Sequence, residues 1–210
     1  MEIRELAVSH AFEITPDLHD DDRGVFLESY RADLFADATG RTFELRQSNI
    51  SVSRRGVARG IHFVDLRNEQ GTTSGQAKYV TAVVGSVLDV VVDIRVGSPT
   101  YGRWDAVELD DRSRKAVFVG EGLGHLFIAI SETATVNYLA NDVYRPASEH
   151  GISAFDPALA LDLPFTPDEL VLSAQDRGVP TLAEARAQGV LPTWDDCLAV
   201  YAARSIGARS

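Results

Sequence analysis

Two of the five histidines sit among strand-forming residues. His62 lies in Arg59-Gly60-Ile61-His62-Phe63, where strand alternation puts Gly60, His62 and Val64 on one face and Ile61 and Phe63 on the other. An imidazole among apolar neighbours is either a structural histidine bonded to backbone or a base inside a pocket, because imidazole titrates near neutral pH. His125 opens a second such segment, Gly122-Leu123-Gly124-His125-Leu126-Phe127. Two strand histidines raise a metal site as an alternative. No His-x-His pair occurs, and Val64 stands two residues after His62, so no metal is expected. Lys78 is one of only two lysines, with Lys115, in a chain that otherwise takes its positive charge from arginine. It is either solvated or a compact ammonium suited to a point negative charge such as an enolate oxygen. Tyr138 and Tyr144 flank Leu139 to Val143, and read either as half-buried packing or as a phenolic acid and a stacking platform.

Other motifs carry less chemistry. Asp21 to Glu28 is an acidic turn running into an alternating segment, which reads as a hairpin entering an edge strand. No phosphate-binding glycine loop opens a helix, and neither a nucleophile elbow nor a paired CxxC occurs. Cys197, the single cysteine, reads as a small buried residue of an amphipathic helix.

The elements that must position these residues are mostly short strands. Phe43 to Ser53 alternates apolar and polar residues, and Val57 to Val64, Ala77 to Val84 and Val87 to Ile94 are β-branched runs with glycines near their breaks. Trp104 to Leu109, Ala116 to Val119, Leu126 to Ile130 and Thr135 to Leu139 continue the series, which suggests a sandwich or barrel. Helix signals cluster late. Thr181 to Glu184 is a capping box, and Thr193 caps a second helix to about Ala203. A short helix is expected over Ala32 to Ala38, ended by Gly40. A doubly wound fold would need helices between the strands, and they are missing.

The 210 residues fit one domain, with a β core over about 1–175 and a helical segment over about 181–204. A net charge of -11 argues against nucleic acid or an anionic membrane surface as partner. Met1 to Glu5 lacks the apolar core of a signal peptide, and no apolar run approaches membrane length, so a cytoplasmic protein is expected.

Seven segments, in order and across nearly the whole chain, resemble the dTDP-4-dehydrorhamnose 3,5-epimerases and their relatives in antibiotic deoxysugar pathways. They are DDRGVFLESY (21–30), QSNISVSRRGVARGIHF (47–63), GQAKYV (75–80), LDVVVDIRVGSPTYGRW (88–104), GLGHLF (122–127), NYLANDVY (137–144) and LSAQDR (172–177). The resemblance implies a mainly β, cupin-type jelly-roll β-barrel with short C-terminal helices. It implies a homodimer with exchanged N-terminal strands, a dTDP-4-keto-6-deoxyhexose substrate and no cofactor. It makes His62 the base, Asp176 the carboxylate that orients it, Lys78 the holder of the ketone oxygen and Tyr138 the acid on the opposite sugar face. Arg59 and His125 match diphosphate contacts. Arg23, Phe26, Glu28, Gln47 and Tyr144 match nucleotide contacts, the first three reaching the partner's site. Leu126, Leu139 and Phe63-Val64 depart from residues usual in rhamnose-pathway members, which points to an antibiotic-sugar enzyme acting at C3″, C5″ or both. The polar stretch Asp65 to Ser74 reads as a loop near the entrance. The rival readings are a 3,4-ketoisomerase of the same barrel, a non-catalytic nucleotide-sugar-binding cupin, and a metal-dependent cupin oxygenase.

Overall fold

The structure, a computed structural model, describes residues 1–66 and 75–206, so most of the Asp65 to Ser74 stretch lies outside the described residues. The chain order is β1 (Glu2–Glu5), β2 (Ala11–Thr15), β3 (His19–Asp21), β4 (Gly24–Phe26), α1 (Ala32–Thr39), β5 (Gln47–Arg54), β6 (Ala58–Val64), β7 (Lys78–Val84), β8 (Ser86–Val92) and β9 (Trp104–Asp110). There follow β10 (Ala116–Val119), β11 (Gly124–Ala129), β12 (Thr133–Ala140), a 3₁₀ turn, β13 (Glu149–Gly151), α2 (Ala174–Arg177), α3 (Leu182–Ala187) and α4 (Trp194–Ala203). One sheet runs β1-β2-β10-β7-β12-β5, the other β13-β6-β11-β8-β9, and β3-β4 is a separate hairpin. The expected jelly roll is therefore two facing sheets. The barrel is not closed, because β1, β5, β9 and β13 remain edges among the described residues.

Alternation builds three layers of core from these two sheets. Val80, Ala82, Val91, Val117, Val119, Phe127 and Val136 pack between the sheets, with Tyr138 against them. The outer face of the second sheet, including Ile61, Phe63, Val90 and Leu126, is covered by Ile152, Leu159, Leu172, Leu182 and Leu191 of the C-terminal segment. On the first sheet's outer face, Phe12, Tyr79 and Phe118 pack with Phe35 of α1. Ile61 and Phe63 are 0 % and 1 % exposed. Burying each is worth about 1.5–3 kcal/mol, which fixes the face that His62 between them must take.

The capping box at Thr181 and Glu184 is formed, and Thr193 caps α4. Gly40 ends α1 in the left-handed conformation, and Cys197 is buried as expected. No helix of the described residues is long and apolar enough to cross a membrane. β1, β2, β13 and α2 were not foreseen. The last two are only three and four residues long and carry too little periodicity to be read.

Candidate active site

A cavity of about 600 Å³ opens between the two sheets. Register explains who lines it. On the second sheet His62 pairs with His125, and Arg59 pairs with Phe127, so two residues of β6 oppose the single Leu126 between them. This is a β-bulge. It corrects the simple alternation, which would send Arg59 to the face opposite His62. With the bulge, both side chains reach the cavity. Gly60 makes the bulge feasible. Its φ is +122°, and a Cβ there would fall on the His125 carbonyl oxygen and 2.9 Å from Leu126 Cα.

On the first sheet Tyr138 pairs with Val80 on one side and Asn49 on the other, while Ala140 pairs with Lys78 and Gln47. Paired residues share a face, so Lys78, Tyr138, Gln47 and Asn49 all project the same way. The cavity thus has His62, Arg59 and His125 on one wall and Lys78, Tyr138, Gln47 and Asn49 on the other.

His62 Nε2 lies 2.6 Å from Asp176 Oδ1. Asp176 is held in turn by α2, whose N-cap Ser173 Oγ accepts from the Asp176 N–H at 3.0 Å. Burial alone would raise the Asp176 carboxyl. The hydrogen bond and charge of His62, the Ser173 hydroxyl and the Arg59 charge outweigh it and leave the group below its ordinary value. A second pair, His125 Nε2 to Asp89 Oδ2 at 2.8 Å, is more deeply buried. Burial lowers the Lys78 ammonium, and Glu149 and Asp89 act against that. Burial also raises Tyr138, with Glu149 and Tyr144 adding to the rise and Arg59 opposing it. Arg59 Nε donates to Ser53 Oγ at 3.2 Å. Gln47 Oε1 accepts from the Tyr144 N–H at 2.8 Å and so ties Tyr144 to the cavity mouth.

Eight of the eleven anticipated residues therefore meet in one cavity: His62, Asp176, Lys78, Tyr138, Arg59, His125, Gln47 and Tyr144. Arg23, Phe26 and Glu28 do not. Arg23 pairs with Asp21 and Glu28 with Arg31 at the surface, and Phe26 is 67 % exposed on the β3-β4 hairpin. β1 pairs with β2, and β2 pairs with β10 of the same chain, so β3-β4 is the N-terminal element without a sheet neighbour. Sequence reasoning missed Asn49, Glu149 and His150 in the lining. Asn49 was findable, being two residues from Gln47 in an alternating strand. Glu149 and His150 gave no signal, because β13 is too short. Among the described residues no group of three or more His, Cys, Asp or Glu side chains could hold a metal ion.

An imidazole–carboxylate pair facing a phenol and an ammonium across a cavity is the equipment of an acid–base enzyme. Comparison with known proteins makes the class specific. Residues 5–184 match the family model for dTDP-4-dehydrorhamnose 3,5-epimerase. A dTDP-4-dehydrorhamnose 3-epimerase of Streptomyces niveus is 54 % identical over 201 residues, covering 95 % of this chain and 93 % of the relative. The crystal structure of NovW, a 4-keto-6-deoxy sugar epimerase from the novobiocin biosynthetic gene cluster of Streptomyces spheroides, superposes with a TM-score of 0.87 at 53 % identity, covering 94 % of this chain and 95 % of that one. ChmJ, a 3'-monoepimerase from Streptomyces bikiniensis solved in complex with dTDP-quinovose, gives 0.87 at 40 % identity, covering 95 % and 98 %. The chain belongs to the dTDP-4-dehydrorhamnose 3,5-epimerase family.

Proposed function

We propose that the protein catalyses cofactor-independent epimerisation at C3″, C5″ or both of a dTDP-4-keto-6-deoxyhexose, in cytoplasmic deoxysugar biosynthesis of the antibiotic type. One observation carries the reading. The His62–Asp176 pair stands on one wall of the cavity, and Lys78 and Tyr138 stand on the other. Inversion at a carbon needs a base on one side of the sugar ring and an acid on the other.

In this mechanism Asp176 accepts from His62 Nε2 and leaves the lone pair on Nδ1. Nδ1 takes the proton from the carbon beside the C4″ ketone, and the C–H electron pair passes to the ketone oxygen. The Lys78 ammonium stabilises that enolate oxygen, and the carboxylate of Asp176 stabilises the imidazolium. Tyr138 then gives its phenolic proton to the opposite face of the carbon, and exchange with solvent restores both groups. Each acid–base contribution is worth roughly 10²–10⁴-fold. Arg59 supplies a guanidinium for the diphosphate, with His125 beside it, and Gln47 and Tyr144 lie where the nucleotide enters. Two chains form a homodimer in which Arg23, Phe26 and Glu28 of the β3-β4 region reach the partner's cavity. That assignment gives the exposed Phe26 ring a nucleotide base to stack on.

Incubation with dTDP-4-keto-6-deoxyglucose in D₂O, followed by NMR, tests the reading. Deuterium at C3″ or C5″ with inversion is expected, and its absence from both carbons overturns the proposal. A product carrying the ketone at C3″ marks a 3,4-ketoisomerase instead.

A further inference from the structure

Lys78 is the first residue of β7 and stands in the last rung of its ladder, opposite Val119 of β10 and Ala140 of β12. A strand end opens more readily than its middle. Beyond that rung the sheet is continued by side chains. Asn141, which follows Ala140, accepts from the Ala77 N–H through Oδ1 at 2.8 Å, and its own N–H donates to the Ala77 carbonyl at 3.2 Å. Asn141 Nδ2 donates to Glu121 Oε1 at 2.9 Å. Glu121 stands in the turn that carries the chain from β10 of the first sheet to β11 of the second. Arg41 pairs with its other oxygen, and Arg204 Nε lies 3.0 Å from Oε1. The Tyr201 hydroxyl donates to the Glu121 carbonyl at 2.6 Å. Glu121 and Asn141 are buried, and neither lines the cavity. We infer that Glu121 and Asn141 are positioning residues, which fix the strand end that carries Lys78 and with it the place of the ammonium across from His62. The inference rests on the role given to Lys78 in the proposed reaction.

Stability alone gives little reason for such a cluster. Taking charges out of water costs free energy that a buried ion pair barely recovers, so an apolar filling would serve a core as well. What a hydrogen-bonded buried network adds is a single geometry, because every bond left unmade strands a polar group away from water. Burial alone would raise the Glu121 carboxyl, but the Arg41 and Arg204 charges and the Arg41 hydrogen bond outweigh it and leave the group below its ordinary value. An ionised carboxylate only accepts, so it turns the Asn141 N–H₂ toward itself and leaves the amide oxygen for Ala77. The approach of the chain is fixed as well. A Cβ on Gly75, whose φ is +63°, would lie 2.6 Å from Leu66 Cδ2 and 3.0 Å from Glu121 Cβ. The same turn leads into β11, where His125 pairs with His62 on the opposite wall. One turn thus references Lys78 to the wall it faces. A misplacement of about 1 Å at a reacting group costs about 10²-fold in rate.

The test breaks the link and then rebuilds it with its polarity reversed. Asn141→Asp sets a second carboxylate against Glu121, and the double variant Asn141→Asp with Glu121→Gln again faces an amide with a carboxylate at unchanged net charge. Amide hydrogen exchange followed by NMR gives a readout independent of turnover. The Ala77 N–H should exchange about tenfold faster or more in Asn141→Asp, and return to within about threefold of wild type in the double variant. The amide of Val90 in β8 serves as the unchanged reference. With dTDP-4-keto-6-deoxyglucose in D₂O, kcat for Asn141→Asp should fall by about 10–10²-fold while KM stays within about threefold, and the double variant should regain most of the loss. In a Lys78→Met background Asn141→Asp should cost no further kcat, because both act through one ammonium. Asn141→Ala cuts the link and leaves both arginines on Glu121, and it takes the place of Asn141→Asp, with the same kinetic outcomes, where that protein does not fold. An Ala77 amide that exchanges at the wild-type rate overturns the inference. So do losses that multiply with Lys78→Met, which mark a general loosening of the fold, and a double variant as slow as Asn141→Asp. A wild-type enzyme without solvent exchange at the sugar sinks the proposed reaction, yet the Ala77 amide still decides whether Glu121 and Asn141 hold the strand end.

Discussion

Replacing Asp176 with asparagine isolates the charge behind the base. The side chain keeps its size, and the amide oxygen can still accept from His62 Nε2, now 2.6 Å from Oδ1. What disappears is the negative charge beside the imidazolium that forms when His62 takes the proton. Losing it leaves that imidazolium without its counter-charge, and the amide can also turn its N–H₂ toward the ring and favour the wrong tautomer. Together these should lower kcat by about 10²–10⁴-fold, or about 2.7–5.4 kcal/mol in the barrier. KM should change little, because Asp176 lies behind the base. The stability effect has a definite sign. The Asp176 carboxyl is held below its ordinary value, so its contribution is present above that value and is lost as pH falls through the native pKa. Asp176→Asn should therefore lower Tm at pH 7 and do so less at pH 3. Deuterium wash-in followed by NMR measures the rate, and a double variant with His62→Asn should be no slower than His62→Asn alone, because the pair acts as one unit. Exchange within threefold of wild type, or additive losses in the double variant, would refute the dyad.

Two further outcomes follow from the two walls and from the bulge. Tyr138→Phe removes the proton donor but leaves His62, so deuterium should still enter with retention while inverted product falls by about 10²–10⁴-fold; inversion at the wild-type rate would remove Tyr138 from the mechanism. Gly60→Ala places a methyl against the His125 carbonyl at a φ of +122°, and urea denaturation should show a loss of about 3 kcal/mol or more, with exchange impaired in the protein that still folds. A loss under about 1 kcal/mol would mean the bulge does not depend on that glycine.

Much of the site was legible because strand chemistry repeats every two residues. The β-branched runs around Val80, Val90 and Val136 marked strands, and Ile61 and Phe63 announced which way His62 must face. The ordered match of seven segments named Lys78, Tyr138 and Asp176 together, although they stand far apart in the chain. The capping box at Thr181 was written in four consecutive residues, so no tertiary contact was needed to find it.

Sequence by itself thus determined most of the strands, the caps, the family and the residues proposed to react, because each of these is encoded within a few neighbouring residues or in their order. Only the tertiary structure decided that Arg59 and His62 share a face, since a bulge is a mismatch between two strands and belongs to neither alone. It also decided that Asp176 meets His62 across 114 positions of chain and that Glu149 enters the same cavity. It also arranged the expected jelly roll as two facing sheets with free edges among the described residues. These are long-range pairings, fixed by which apolar faces must be buried together, and no window along the chain contains both partners.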